Sequence, residues 1–286
     1  MSVPAFEDGT WQSGDGLTLH YRDYAGRDDR PPILCIPGLT RNARDFEPVA
    51  DAFAGEWRVI CAELRGRGES DYAKDFSTYT PSQYVEDIVA LLDAIGVSKV
   101  VSIGTSLGGI VTMLMAFMHP GKLAGVVLND IGPDVEEAGL DRIKDYVGQG
   151  RSYPTWMHAA RSLREGNADV YPDYDTKDWL RFAKRLCVVG NNGRISYDYD
   201  MHIAEPFNEP PPKPVDMWPL FAALGDVPVL ALRGELSDIL SAKTLQRMTK
   251  EMPAMDAVTV PNVGHVPTFE EPEAQQAVAT LLGKVA

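Results

Sequence analysis

The chain reads as an α/β protein built on a mostly parallel sheet, and three observations predict this. Short apolar runs of four to six residues recur, each closed by a Gly- or Pro-containing turn, as strands buried on both faces require. Segments with apolar residues at three-and-four spacing alternate with them, which is the period of one buried helical face. Strand and helix in strict alternation imply parallel strands joined by right-handed crossovers.

In chain order, residues 16–24 alternate apolar Leu17, Leu19 and Tyr21 with polar neighbours, the period of a half-buried strand, and are expected as an antiparallel edge. Ile33-Leu34-Cys35-Ile36, ended by Pro37-Gly38, and Arg58-Val59-Ile60-Cys61-Ala62, followed by Arg65-Gly66-Arg67-Gly68, read as buried strands. Thr80-Pro81-Ser82-Gln83 has the form of a capping box with proline at the first helical position. The helix it opens presents Tyr84, Val85, Ile88, Leu91, Leu92 and Ile95 on one face and stops at Gly96. Val100–Ile103 is predicted as a strand, Leu107–Met118 as a helix and Leu123–Leu128 as a strand.

Residues 132–219 break the rhythm. They are rich in Tyr, Trp, Asp and Pro, with a turn at Asn191-Asn192-Gly193 and a stiff, non-helical run at Glu209-Pro210-Pro211-Pro212-Lys213-Pro214. We read them as a largely helical cap inserted into a core formed by residues 1–131 and 220–286. The alternation resumes with Val229–Leu232 as strand, Ala242–Glu251 as helix, Ala257–Val260 as strand and Glu271–Lys284 as helix.

Composition narrows the function classes. The 286 residues are 44% hydrophobic and 24% charged, which is ordinary for a globular protein. A formal net charge of −14 repels phosphate backbones and anionic lipid, so neither nucleic acid nor a membrane surface is expected as a partner. Cys35, Cys61 and Cys187 are odd in number and widely spaced, so they read as buried thiols rather than disulfides or zinc ligands. With no leader-like or membrane-spanning run in the sequence, the expected location is cytoplasmic, and no cofactor or metal is called for.

The chemistry concentrates at Gly104-Thr105-Ser106-Leu107-Gly108, a Gly-x-Ser-x-Gly pattern between a predicted strand and a predicted helix. A sharp turn there exposes the Ser106 hydroxyl above the sheet as a nucleophile. Of the five histidines, His265 is the expected base, because Pro261–Pro267 follows the last predicted strand. His20 and His119 read as structural or surface residues, and His158 and His202 belong to the cap. The acid that orients the imidazole is expected at Asp238, after the penultimate strand, with Asp130 as the alternative and Glu235 as a weaker rival. Backbone N–H groups of Leu39 and Leu107 are the expected oxyanion donors. The cap residues Tyr153, Trp156, Met157, Trp179, Phe182, Tyr197, Tyr199 and Met201 are candidates to line a substrate pocket.

Through Pro37-Gly38, Arg65-Gly66-Arg67-Gly68-Glu69-Ser70, the Ser106 motif, Asp238 and Gly264-His265, the chain resembles the α/β-hydrolase superfamily over its whole length except the cap. The resemblance implies an eight-stranded, mostly parallel sheet with a lid inserted after the sixth strand. Many relatives carry His-Gly where Pro37-Gly38 stands, and Asp where Glu63 stands. Ser106 departs from the aspartate nucleophile of epoxide hydrolases and haloalkane dehalogenases, and Leu107 replaces the tryptophan of proline iminopeptidases. The reading is a cofactor-free carboxylesterase for small to medium acyl esters. Its alternatives are a lactonase, a carbon–carbon hydrolase of diketone-like acids with Arg181 and Arg185 as candidate carboxylate anchors, and, from another class, a ligand-binding receptor on a hydrolase scaffold.

Overall fold

A computed structural model describes residues 4–208 and 215–285. The chain opens with strands β1 (Glu7–Gln12), β2 (Thr18–Tyr24) and β3 (Ile33–Ile36), helix α1 (Glu47–Phe53), β4 (Val59–Ala62), α2 (Pro81–Ala94), β5 (Val100–Thr105), α3 (Leu107–Met118) and β6 (Leu123–Asn129). The insertion follows with α4 (Glu137–Tyr146), β7 (Ser152–Tyr153), α5 (Trp156–Asn167), α6 (Thr176–Leu186), β8 (Cys187–Val189), β9 (Ile195–Tyr197) and α7 (Glu205–Asn208). The chain then returns through α8 (Trp218–Ala222), β10 (Val229–Gly234), α9 (Ala242–Glu251), β11 (Asp256–Val260) and α10 (Pro272–Leu282).

Eight strands form the main sheet in the order β1-β2-β4-β3-β5-β6-β10-β11. From β4 to β11 every pairing is parallel, and β2 alone opposes its neighbours. The 16–24 strand is therefore antiparallel as expected, but it is not the edge. That place belongs to β1, which the apolar pattern conceals because Trp11 is its one buried residue. Trp11 donates its indole N–H to the Asp87 carbonyl at 2.8 Å, anchoring the edge to α2.

Each sheet face carries its own core. Residues of α2, α3 and α9 pack with Leu34, Ile60 and Leu128, while residues of α1 and α10 pack with Cys35, Ile103 and Leu232. Every residue of β3, β4 and β5 is buried, which is why β3 and β4 are continuously apolar and why buried Ser102 of β5 is paired, to the Thr112 hydroxyl at 2.8 Å. Burial of this kind contributes roughly 1.5–3 kcal/mol per large aliphatic side chain.

Local signals resolve in detail. Thr80 caps α2 by accepting from the Gln83 N–H, yet the Gln83 side chain goes to Asp87 at 3.0 Å, so the capping box is only half made. The Thr80 N–H bonds the Thr78 carbonyl instead. Gly96 ends α2 with φ +69, a conformation glycine adopts without strain.

Residues 132–208 carry mainly helices, as expected, together with short strands that the sequence pattern does not show. These strands form a second, three-stranded sheet ordered β7-β9-β8, with Asn191-Asn192-Gly193 turning the β8–β9 hairpin. The Glu209–Pro214 run lies outside the described residues. Cys35, Cys61 and Cys187 are buried free thiols. No helix among the described residues is long and apolar enough to cross a membrane.

Candidate active site

Parallel strands end along one edge of the sheet, and the turns leaving β3, β5, β6, β10 and β11 meet there. The β5–α3 turn carries the expected nucleophile. Ser106 takes φ +51 and ψ −114, outside the regions an L-residue ordinarily occupies. The flanking glycines are steric necessities. A Cβ at Gly104 would lie 2.4 Å from the Gly108 carbonyl oxygen, and one at Gly108 only 2.0 Å from the Ile36 oxygen. The Gly-x-Ser-x-Gly spacing thus follows from how tightly α3 leaves β5 against β3.

His265 stands in the loop after β11. Its Nε2 is 2.9 Å from Ser106 Oγ, and its Nδ1 is 2.7 Å from Asp130 Oδ2. A carboxylate only accepts, so Nδ1 carries the proton and Nε2 is left to receive one from the Ser106 hydroxyl. Two contacts to the insertion steady this loop: Gly264 N–H donates to the Val170 carbonyl at 2.7 Å, and the Tyr171 hydroxyl donates to the Val266 carbonyl at 2.9 Å. Burial pushes the Tyr171 hydroxyl far above its ordinary pKa, keeping it a donor.

The partner of His265 is Asp130, and the expectation of Asp238 is corrected. Asp130 follows β6 with φ +57 and is fully buried. Its carboxylate also accepts from the Gly234 N–H at 2.8 Å and the Ser237 hydroxyl at 2.6 Å. Asp238 instead forms a two-pronged pair with Arg142 of α4, at 2.6 and 2.8 Å. Partial burial opposes ionisation of Asp238, but Arg142 prevails and holds its carboxyl below the usual range. Glu235 also stays away, accepting from the Asn262 N–H.

The other histidines are engaged elsewhere. His20, buried, bridges Glu63 and Asp8; His119 meets Glu86; His158 bonds Thr155; His202 bonds Asp200 and stacks on Phe76. Among the described residues no group of three or more His, Cys, Asp or Glu is arranged to hold a metal ion.

Leu107 is the first residue of α3, so its N–H is one of the helix's unpaired amino-terminal donors. Leu39 lines the cavity above Ser106, and its carbonyl accepts from Arg67 Nε at 2.9 Å. Arg67 is fully buried and also donates to the Arg65 carbonyl and the Tyr84 hydroxyl. The same turn ties to the insertion through Gly68 N–H to the Asp198 carbonyl and Asp200 N–H to the Gly66 carbonyl. Glu63 lies beneath it, accepting from the Glu69 and Ala43 N–H groups. The Arg65–Ser70 turn is therefore a structural clasp between the Leu39 loop and the Asp198–Asp200 segment.

A cavity of about 230 Å³ opens over Ser106 and His265. Of the proposed aromatic lining, Phe182, Tyr197 and Tyr199 reach it. Tyr153, Trp156, Met157, Trp179 and Met201 do not. Trp179 is buried in an aromatic cluster with Tyr171, Tyr174 and Phe182, Tyr153 packs edge-on to Tyr197, and Met157 is exposed. Trp156 and Met201 pack against the apolar cores instead. Arg181 and Arg185 pair with Glu270 and are also absent from the lining. The walls that sequence reading missed come from α4, α5 and the loop before β7, including Arg142, Ile143, Tyr146, Arg151 and Asn167. Ile143 and Val147 share a buried face of that stretch, a short periodicity that a local search could have found.

Comparison with known proteins agrees with this architecture. The sequence model described as the alpha/beta hydrolase family matches residues 33–278. A 3-hydroxybutyrate-oligomer hydrolase of Cupriavidus necator is 33% identical over 269 residues, 91% of each chain. A 2-(acetamidomethylene)succinate hydrolase of Mesorhizobium japonicum is 26% identical, covering 90% of this chain and 88% of that one. The crystal structure of an alpha/beta hydrolase from Novosphingobium aromaticivorans superposes with a TM-score of 0.95 at 56% identity, covering 99% of this chain and all of that one.

Proposed function

The chain belongs to the alpha/beta hydrolase family, and on that premise we propose that it is a serine carboxylesterase acting on small to medium acyl esters. The observation that carries this reading is the unbroken hydrogen-bond relay from Ser106 through His265 to Asp130, at the floor of the cavity. In it, Ser106 Oγ attacks the ester carbonyl as His265 Nε2 takes its proton. The oxyanion is held by the N–H groups of Leu107 and Leu39. His265 returns the proton to the departing alcohol oxygen, then draws one from water as that water attacks the acyl-serine, and delivers it to Ser106 Oγ as the acyl–oxygen bond breaks, freeing the acid and restoring the serine. Buried Asp130 keeps Nδ1 protonated and stabilises the imidazolium throughout.

The relative named for 3-hydroxybutyrate oligomers supports an ester bond as the target, since hydroxy acids oligomerise through esters. Lactones suit the same relay. A carbon–carbon hydrolase gains no support from Arg181 and Arg185, which face Glu270 rather than the cavity.

The test is steady-state hydrolysis of p-nitrophenyl esters of increasing acyl length by wild type and Ser106→Ala. The expected loss is on the order of 10⁶-fold, because the members of such a relay act as a unit. Turnover retained by Ser106→Ala would overturn the mechanism, and stoichiometric labelling without sustained turnover would favour a ligand-binding receptor.

A further inference from the structure

The cavity's charge runs against that of the molecule. The chain has 41 Asp and Glu against 27 Lys and Arg, yet the cavity wall contains Arg41, Arg142 and Arg151 and no carboxylate. Two of these guanidinium groups are neutralised from behind: Arg41 grips Asp45 at 2.5 and 2.6 Å, and Arg142 grips Asp238 at 2.6 and 2.8 Å. Arg151 differs. It is exposed, and its side chain's one protein partner among the described residues is the neutral Gln149 amide oxygen at 3.3 Å. One uncompensated cation therefore lines a cavity whose floor is Ser106.

Accepting the serine-esterase reading above, we propose that the substrate is an ester bearing a free carboxylate, and that Arg151 is the residue that receives it. A planar guanidinium presents paired N–H donors matched to a carboxylate's two oxygens, and such bonds are stronger than neutral ones. The neutralised Arg41 and Arg142 add polar donors without adding net charge, so Arg151 sets the preference for an anion. Being exposed, it meets the substrate at the rim, and its attraction weakens as ionic strength rises.

Two matched ester pairs, followed by pH-stat, test this. One places the carboxylate on the acyl side (monomethyl adipate against methyl hexanoate), the other on the alcohol side (3-(butanoyloxy)butanoate against pentan-2-yl butanoate). In at least one pair, wild type is expected to favour the anion in kcat/KM by about tenfold or more, the range of one charge-assisted hydrogen bond. Arg151→Gln is expected to bring that ratio close to one. Arg161→Gln, which removes an equal charge from the exposed side of α5 away from the cavity wall, is expected to keep it. Equal or better turnover of the neutral ester in both pairs, or an equal fall of the ratio in Arg161→Gln, would overturn the anchor while leaving the esterase reading intact. Failure to hydrolyse any of the four esters, or hydrolysis that survives Ser106→Ala, would overturn that reading and the anchor with it.

Discussion

Two loops leave neighbouring parallel strands at the same edge of the sheet, and each carries an aspartate at its start. The loop after β6 holds Asp130, fully buried, in a positive-φ conformation, with only neutral donors and an imidazole around it. The loop after β10 holds Asp238, about a third exposed and bound by Arg142 through its Nε and one terminal nitrogen. The difference is one of availability. A carboxylate already neutralised by a guanidinium has little left to offer an imidazolium, whereas one set among N–H and O–H dipoles keeps its charge for the histidine beside it. The β10 loop still serves Asp130 by sending it the Gly234 N–H and the Ser237 hydroxyl.

Substitutions at the two loops break or sharpen this contrast. The largest effect is expected for Asp130→Asn, about 10⁴-fold in kcat, because an amide facing Nδ1 fixes the imidazole in the wrong tautomer. Asp238, still present, does not rescue it, and restored activity in that variant would contradict the assignment. Asp238→Asn is expected to change kcat by less than about tenfold, measured on the same ester. The smallest effect is on stability. The folded-state pKa of Asp238 lies below its unfolded value of about 3.9, so its pairing stabilises the fold above that pH and fades as pH falls through the folded value. Unfolding free energies of wild type and Asp238→Asn from urea titration should therefore differ at pH 7 by no more than about 1 kcal/mol, given the exposure of the pair, and converge in acid.

Much of the scaffold was legible because burial on both faces leaves an unmistakable apolar run, as in Ile33–Ile36 and Val59–Ala62. Strand β1 was not, since an edge with one buried residue carries almost no pattern. Strands β7, β8 and β9 have two or three residues each, too few for a period to show, although the Asn-Asn-Gly turn between the last two was plain. The turn at Ser106 could be read because its glycines are forced by local contacts. The choice between Asp130 and Asp238 could not, because it depends on Ser237, Arg142 and His265, each about a hundred residues or more from one of the two aspartates. Spacing along the chain does not encode which partner arrives. Arg142 of the cavity wall was hidden for the same reason, since Asp238, which neutralises it, lies 96 residues away.

The hydrogen bond from Ser106 to His265 closes a loop of 159 residues that contains the entire stretch between β6 and β10. Closure entropy grows only with the logarithm of loop length, so even doubling that loop costs about 0.6 kcal/mol. The relay is held by the ends of β5, β6 and β11, none of which needs to sense how much chain lies between β6 and β10. Length alone therefore sets little limit on what the loop can carry, but any replacement for the stretch between β6 and β10 has to supply partners equivalent to Val170 and Tyr171 for the His265 loop if the imidazole is to keep its place.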